Sequence, residues 1–277
     1  MMLDLVRRLE GKSDTKRREI LLEEVQLRNW KFELQQYKYA DQPGCNIIVN
    51  LLSGFNQTIL LAAHYDAFIG SPGANDDASA LAILIDAAEK LPFESLRNNV
   101  RLVFFDDEEP TIHWYVPVGS TMYVREFGVS GLAAVLDFEL CGMGDAVGIW
   151  PIAGVEDRPL LMELSEVLQE AGIPFDYGKR IPGFYADYLP FREAGFADAF
   201  CFTTFHWHER DKLIRFAEGN WTHAMMRYFA WRFLRAPTVP KIFRHYHSSK
   251  DSSAYLSEST LQMMSNLVCR WILRLAG

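Results

Sequence analysis

Short apolar runs that each stop at a carboxylate or an imidazole constrain this chain more than any other feature. Thr58–Ala63 runs into His64-Tyr65-Asp66, Arg101–Phe105 into Asp106-Asp107-Glu108-Glu109, and Leu132–Leu136 into Asp137. Between the first two lies Pro72-Gly73-Ala74-Asn75-Asp76-Asp77-Ala78-Ser79, a loop that opens a helix over Ala78–Leu91, ended by Pro92. Buried-type strands alternating with helical periodicity predict a mostly parallel or mixed sheet covered on both faces. In such sheets the carboxyl ends of the strands are where ligands and active sites assemble. Oxygen and nitrogen donors with no cysteine among them suit a hydrolytic zinc site better than a structural one.

The rest of the chain keeps the rhythm. Thr15–Leu34 has helical spacing, and Cys45–Leu52 and Thr58–Ala63 read as a hairpin around Ser53-Gly54-Phe55-Asn56. Arg158–Ala171 is a helix stopped by Gly172, Ala197–Thr203 a buried strand, and Thr260–Leu275 an amphipathic closing helix. With no internal repeat and no Gly/Ser-rich linker, one domain over 1–277 is expected. Phe205–Arg244 breaks the pattern. Its middle, Asn220–Arg235, is helix-like with Trp221, Met225, Tyr228, Phe229, Trp231 and Phe233 on all sides. One face on the core explains some of these. The competing reading is a lid or insertion over the site, or a homo-oligomer contact through 205–244, because apolar side chains lie all around the helix.

Charge excludes several functions. A formal charge of −8 argues against a nucleic-acid surface and provides no polybasic patch for a membrane. Asp4, Arg7, Arg8 and Glu10 interrupt any signal-peptide core, and charges break every long apolar stretch, so a cytoplasmic protein is expected. Cys45, Cys141, Cys201 and Cys269 are far apart in sequence and read as free thiols.

Each polar cluster has an ordinary reading and a chemical one. Asp66 can orient His64 through the imidazole's second nitrogen. Asp76 or Asp77 can cap the following helix while the other binds a metal. Four acids in a row at 106–109 repel one another unless cations compensate, and one can ligate while its neighbour serves as general base. Asp137 sits in an apolar context where an unpaired charge is costly. His206-Trp207-His208 reads as surface or lid.

In their order, His64-Tyr65-Asp66, Gly-Ala-Asn-Asp76-Asp77-Ala-Ser, Asp-Glu108-Glu109, Leu-Asp137, Asp187-Tyr188-Leu189-Pro190-Phe191 and His247-Ser-Ser-Lys-Asp251 resemble peptidase family M28. That family holds zinc aminopeptidases and the related glutaminyl-peptide cyclotransferases. The resemblance covers nearly the whole chain except 205–244. It implies an α/β fold, a three-layer αβα sandwich around a mixed, mainly eight-stranded sheet. It further implies zinc, one or two ions with two favoured. His64 and Asp137 would bind one ion, Glu109 and His247 the other, with Asp76 bridging. Glu108 would be the general base and Asp66 the orienter of His64. No ligand position is lost. The implied activity is removal of the N-terminal residue of a peptide or small aminoacyl substrate, by water activated at the metals.

Two departures pull in opposite directions. Ala186-Asp187-Tyr188 stands where the family commonly has Ser-Asp-His or Asp-Asp-His, and Ala186 occupies a position the cyclotransferases fill with a catalytic Asp. That counts against cyclisation. Phe104-Phe105-Asp106-Asp107-Glu108-Glu109 with His113-Trp114 resembles the cyclotransferase branch, in which the Trp lines the substrate pocket. Trp114, Asp187 and Tyr188 are therefore candidate pocket residues. Pyroglutamate formation is the alternative activity, and a non-catalytic binding module on the same fold is the third reading.

Overall fold

The computed structural model describes residues 1–111, 116–178, 185–217, 222, 226 and 239–277. Its centre is an eight-stranded sheet in the order β1-β2-β4-β3-β5-β8-β6-β7. The strands are β1 (Lys31–Tyr39), β2 (Gln42–Leu52), β3 (Thr58–His64), β4 (Asn99–Phe105), β5 (Leu132–Phe138), β6 (Ala146–Trp150), β7 (Phe175–Tyr177) and β8 (Ala199–Phe205). Four neighbours, β4, β3, β5 and β8, run parallel. Antiparallel pairs flank them, β1 with β2 and β2 with β4 on one side, β6 with β8 on the other. β7 then adds parallel to β6.

Period-two alternation divides the apolar side chains between two cores. Ile47, Ile59, Leu61, Leu102 and Leu136 face one, Ile48, Leu60, Val103 and Val135 the other. Strands buried on both faces explain the uninterrupted apolar runs. The first face is covered by helices α1 (Met2–Leu9), α3 (Ser79–Lys90), α5 (Pro159–Glu170) and α8 (Glu258–Ala276). There Trp271 is fully buried and its indole N–H donates to Leu164 O at 2.9 Å. α4 (Val118–Phe127) and α6 (Tyr188–Glu193) cover the second face. α2 (Asp14–Leu27), N-capped by Ser13, packs beside α1 and β2. α7 is the short helix Arg210–Ala217.

Two sequence expectations are corrected here. The helix beginning near Thr15 ends at Leu27, and the chain re-enters the sheet as β1, whose residue Leu34 pairs with Ile47. β2 and β3 do not form a hairpin, because β4 lies between them and bonds to both. The turn at 53–56 reverses the chain, but the buried β4 takes the central place. The four cysteines are free, as expected. Asn220–Arg235 falls almost wholly outside the described residues. No helix among the described residues is long and apolar enough to cross a membrane.

From β3 the chain crosses to β4 through α3 on one face, then returns past β3 to β5 through α4 on the other. The carboxyl ends of β4, β3 and β5 therefore border a crevice where the winding direction reverses, the usual ligand position in such sheets. His64 pairs with Phe105, and Ala62 with Asp137, so both motif-bearing strand ends open there.

Candidate active site

The end of β3 supplies His64, nearly fully buried and held from both sides. Its Nδ1 lies 3.2 Å from Asp66 Oδ1 and its Nε2 3.3 Å from Asp76 Oδ1. Burial opposes charging the ring, but the hydrogen bonds to Asp66 and Asp76 outweigh it and hold the imidazole well above its ordinary range. Asp66 also accepts the backbone N–H of Glu108 at 3.2 Å and of Glu109 at 2.9 Å. One carboxylate thus fixes the imidazole and the two glutamates at the end of β4.

Asp76 is presented by an irregular turn, Ala74–Ala78, entered through Gly73 at φ +66°. Neither Asp76 nor Asp77 caps α3, whose first turn has no side-chain cap. The turn is instead held from outside. Asp251 accepts from Asn75 N at 2.9 Å and Asp76 N at 3.1 Å, and Asn75 Oδ1 accepts from Gly142 N at 2.8 Å. The buried Arg17 of α2 donates from Nη1 to Asp66 O at 2.8 Å and from Nη2 to Gly73 O at 2.6 Å. A Cβ built on Gly73 would stand 2.8 Å from Arg17 Nη1 and 2.9 Å from Asp76 O, so glycine permits this close approach.

His247 completes the cluster. Its Nε2 lies 2.8 Å from Glu109 Oε2 and 3.5 Å from Asp76 Oδ2. Phe68 steadies both partners, since its ring stacks on His247 at 4.0 Å and 5° while its N–H donates to Glu109 Oε1 at 3.0 Å. Donors about 2.0–2.2 Å from a tetrahedral zinc stand about 3.4 Å apart, which the spacings around Asp76, Glu109 and His247 approach. Ligand-type atoms of His64, Asp76 and Glu109 also lie within 4.8 Å of one another. The donor set fits a divalent cation.

More acid surrounds this group than it can neutralise. Burial drives the carboxyls of Asp77, Glu108, Glu109, Asp137 and Glu139 well above the usual range, with neighbouring acids adding to it. Asp76 alone is held low, because His64 and His247 overcome its burial. Asp137 Oδ2 accepts from Tyr188 N at 3.0 Å, while its Oδ1 has no hydrogen-bond partner among the described residues. Asp187 is buried, and burial pushes it up to about 7 against the pull of His64 and Ser120.

The expected ligands His64, Asp76, Glu109 and His247 are thus brought together with Glu108 and Asp66, and Asp137 stands at their border. Trp114 lies outside the described residues. Tyr188 contributes its backbone to the site, and its ring packs edge-on against Trp150 in the second core. The argument drawn from Ala186 is corrected. Ala186 faces the apolar core, whereas Asp187 is the acid that interacts with Glu108 and Asp137, so alanine at 186 removes no carboxylate from the site. The rings of His206 and His208 lie 5.3 Å apart, tilted by 41°, with His208 exposed. Sequence reasoning missed Arg17, Phe68 and Glu139. Only Glu139 left a signal, an acid two residues beyond Asp137 in the same apolar run.

Imidazoles and carboxylates gathered at the parallel strand ends of a mixed α/β sheet form a candidate site for a divalent cation. Residues 46–272 match the family model described as peptidase family M28, and the chain belongs to that family. Aminopeptidase YwaD of Bacillus subtilis (strain 168) is 24% identical over 217 residues, spanning 76% of this chain and 39% of that protein. The chain therefore covers about two fifths of that curated relative's length. Among solved structures, glutaminyl cyclase of Porphyromonas gingivalis superposes with a TM-score of 0.71 at 15% identity, over 98% of this chain and 96% of its own. BSAP, a zinc aminopeptidase from Bacillus subtilis, gives 0.61 at 18% identity over 86% and 51%. At these identities the superpositions speak for the fold.

Proposed function

We propose that this protein is a zinc-dependent aminopeptidase that removes the N-terminal residue of a peptide. The observation that carries the reading is the convergence of Asp76, Glu109 and His247 at ligand spacing with Glu108 beside them. Those three residues would hold one ion, and the family resemblance assigns a second to His64 and Asp137. Zinc, when bound, supplies Lewis acidity toward the scissile carbonyl and lowers the pKa of a neighbouring water. Glu108 then acts as the base. Its backbone is fixed by Asp66, and it takes a proton from the attacking water and returns it to the leaving amine. With a metal bound, Asp66 would accept from His64 Nδ1–H and leave Nε2 free to ligate.

Asp187 favours a second reading, glutaminyl-peptide cyclisation. There the substrate's own amine attacks its γ-carboxamide, Glu108 relays the amine proton, and ammonia leaves. A buried acid with a pKa of about 7 opposite Glu108 suits that relay. The deciding experiment incubates the zinc-loaded protein with aminoacyl reporters and with a Gln-initiated peptide. Release of the first amino acid supports the aminopeptidase, ammonia with pyroglutamate supports the cyclase, and neither product from any substrate overturns both.

A further inference from the structure

Residues 205–244 lie outside the motifs that carry the family resemblance, yet their described ends reach the candidate site. Phe205, Phe216, Val239, Ile242 and Phe243 gather with Leu140 in a third apolar core, separate from the two that flank the sheet. Both ends of the segment are anchored. Asp145 Oδ1 accepts from Trp207 N at 2.8 Å, and Glu209 Oε2 accepts from Lys241 N at 2.6 Å. The single-turn helix Lys241–Phe243 then presents the Phe243 ring, stacked on Phe216 at 5.2 Å and 28°. Phe243 meets Tyr246 edge-on at 6.1 Å and 79°, and Tyr246 stacks on His247 at 3.7 Å and 21°. Phe68 stacks on His247 as well, at 4.0 Å and 5°. Two rings this close and this nearly parallel to the imidazole have no room on one face of it, so Phe68 and Tyr246 lie on opposite faces.

We propose that Phe243 is a positioning residue for His247: acting through the Tyr246 ring, it holds the imidazole in the plane from which Nε2 reaches Glu109 and Asp76. The proposal rests on the reading of Asp76, Glu109 and His247 as ligands of a divalent cation. His247 needs such support. It is the third residue of the turn His245–Ser248, closed by Ser248 N–H donating to His245 O at 3.2 Å, and its φ of +51° is one that side chains rarely adopt. A conformation of that kind persists only where its surroundings over-determine it. The turn fixes the backbone but leaves the imidazole free to rotate about its Cβ–Cγ bond, a broad torsion that flat contacts on both faces restrict. Phe68 supplies one contact, from the loop after β3. Tyr246 supplies the other, but it is only partly buried, so its tilt depends on the Phe243 edge and the Phe216 stack behind it. Losing the ring at 243 lets Tyr246 tip and the imidazole turn with it. Losing an aliphatic neighbour in the same core does not, and how firmly a ligating imidazole is oriented decides how well it holds its metal.

The test strips the full chain of metal and titrates it with Zn2+ against a chromophoric chelator, well below the melting temperature of each metal-free variant. Parallel samples take Co2+, whose visible spectrum reports the ligand geometry. Phe243→Leu keeps an apolar side chain but no ring, and should bind zinc about two- to tenfold more weakly than wild type. Its cobalt bands should shift, because the imidazole meets the ion at a changed angle. Ile242→Ala hollows the same core with the stack intact, so its melting temperature should fall while zinc affinity and cobalt spectrum stay those of wild type. Tyr246→Leu removes the intermediary and should weaken zinc at least as much as Phe243→Leu. Combining the two should weaken it no further than Tyr246→Leu alone, since residues acting in series are not additive. The proposal is overturned if Phe243→Leu binds zinc as tightly as wild type, if Ile242→Ala weakens it as much as Phe243→Leu does, or if the two losses multiply in the double variant. In all three cases wild type still binds zinc and the proposed function survives. Wild type binding none would sink that function together with this inference.

Discussion

Arg17→Met is the perturbation for which the structure gives the clearest magnitude. The guanidinium is fully buried and ties α2 to both ends of the connection after β3, at Asp66 and at Gly73. Hydrogen bonds from a charged donor contribute about 1.5–3 kcal/mol each, so two give about 3–6 kcal/mol. Removing the guanidinium also removes its burial cost, which leaves a net loss of about 3–5 kcal/mol. At about 2–4 °C per kcal/mol for a chain of this size, the melting temperature should fall by about 6–20 °C. Metal affinity should fall too, because Asp66 positions His64, Glu108 and Glu109, and losing support behind such ligands typically costs about 10–100-fold. Calorimetry of the metal-free variant and chelator competition for zinc measure the two effects, with the exposed Lys16→Met on the same helix as control. A melting temperature within about 2 °C of wild type, with unchanged zinc affinity, would refute the reasoning.

Glu108→Gln should lower turnover by about 10²–10⁴-fold with the zinc at Asp76, Glu109 and His247 retained, as elemental analysis would show. Phe68→Ala removes the ring stacked on His247, worth about 0.5–1.5 kcal/mol, so zinc should bind about two- to tenfold more weakly in chelator competition. Burial first, with neighbouring acids, pushes Asp106 and Asp251 up to about 7, and burial does the same at Asp187. An acid whose folded value exceeds its unfolded value of about 3.9 stabilises the fold fully below that value and loses the contribution as pH rises through about 7. The metal-free protein should therefore melt lower at pH 8 than at pH 6, and zinc should raise the melting temperature more at pH 8.

The motif residues were legible because each ends a strand that the apolar pattern exposes, and strand ends converge by topology. His64, Glu109 and Asp137 could be placed at one edge from that alone. Strand neighbours could not be placed. The turn at 53–56 looks the same whether β2 and β3 pair or straddle β4, since both arrangements leave them antiparallel. β1 was absorbed into the preceding helix because Lys31–Leu34 continues its charged spacing, and only pairing with β2 draws it into the sheet. Arg17 was invisible for a different reason. An arginine on a helix is ordinarily solvated, and its burial depends on two carbonyls 49 and 56 residues away. The misreading at Ala186 and Asp187 has the same origin, because which of two adjacent residues faces the crevice is decided by how α6 seats on the second core.

His247 and Asp251 reach the cluster only after the last strand of the sheet has been laid down, nearly two thirds of the chain beyond His64. Synthesis proceeds from the amino end, and a nascent chain still missing that stretch would expose His64, Asp76 and Glu109 without the imidazole that closes them. A cation held by this cluster would thus be captured only once residue 247 has been made. A chain halted before Tyr246 would have every strand of the sheet and still lack the imidazole that closes the candidate cation site.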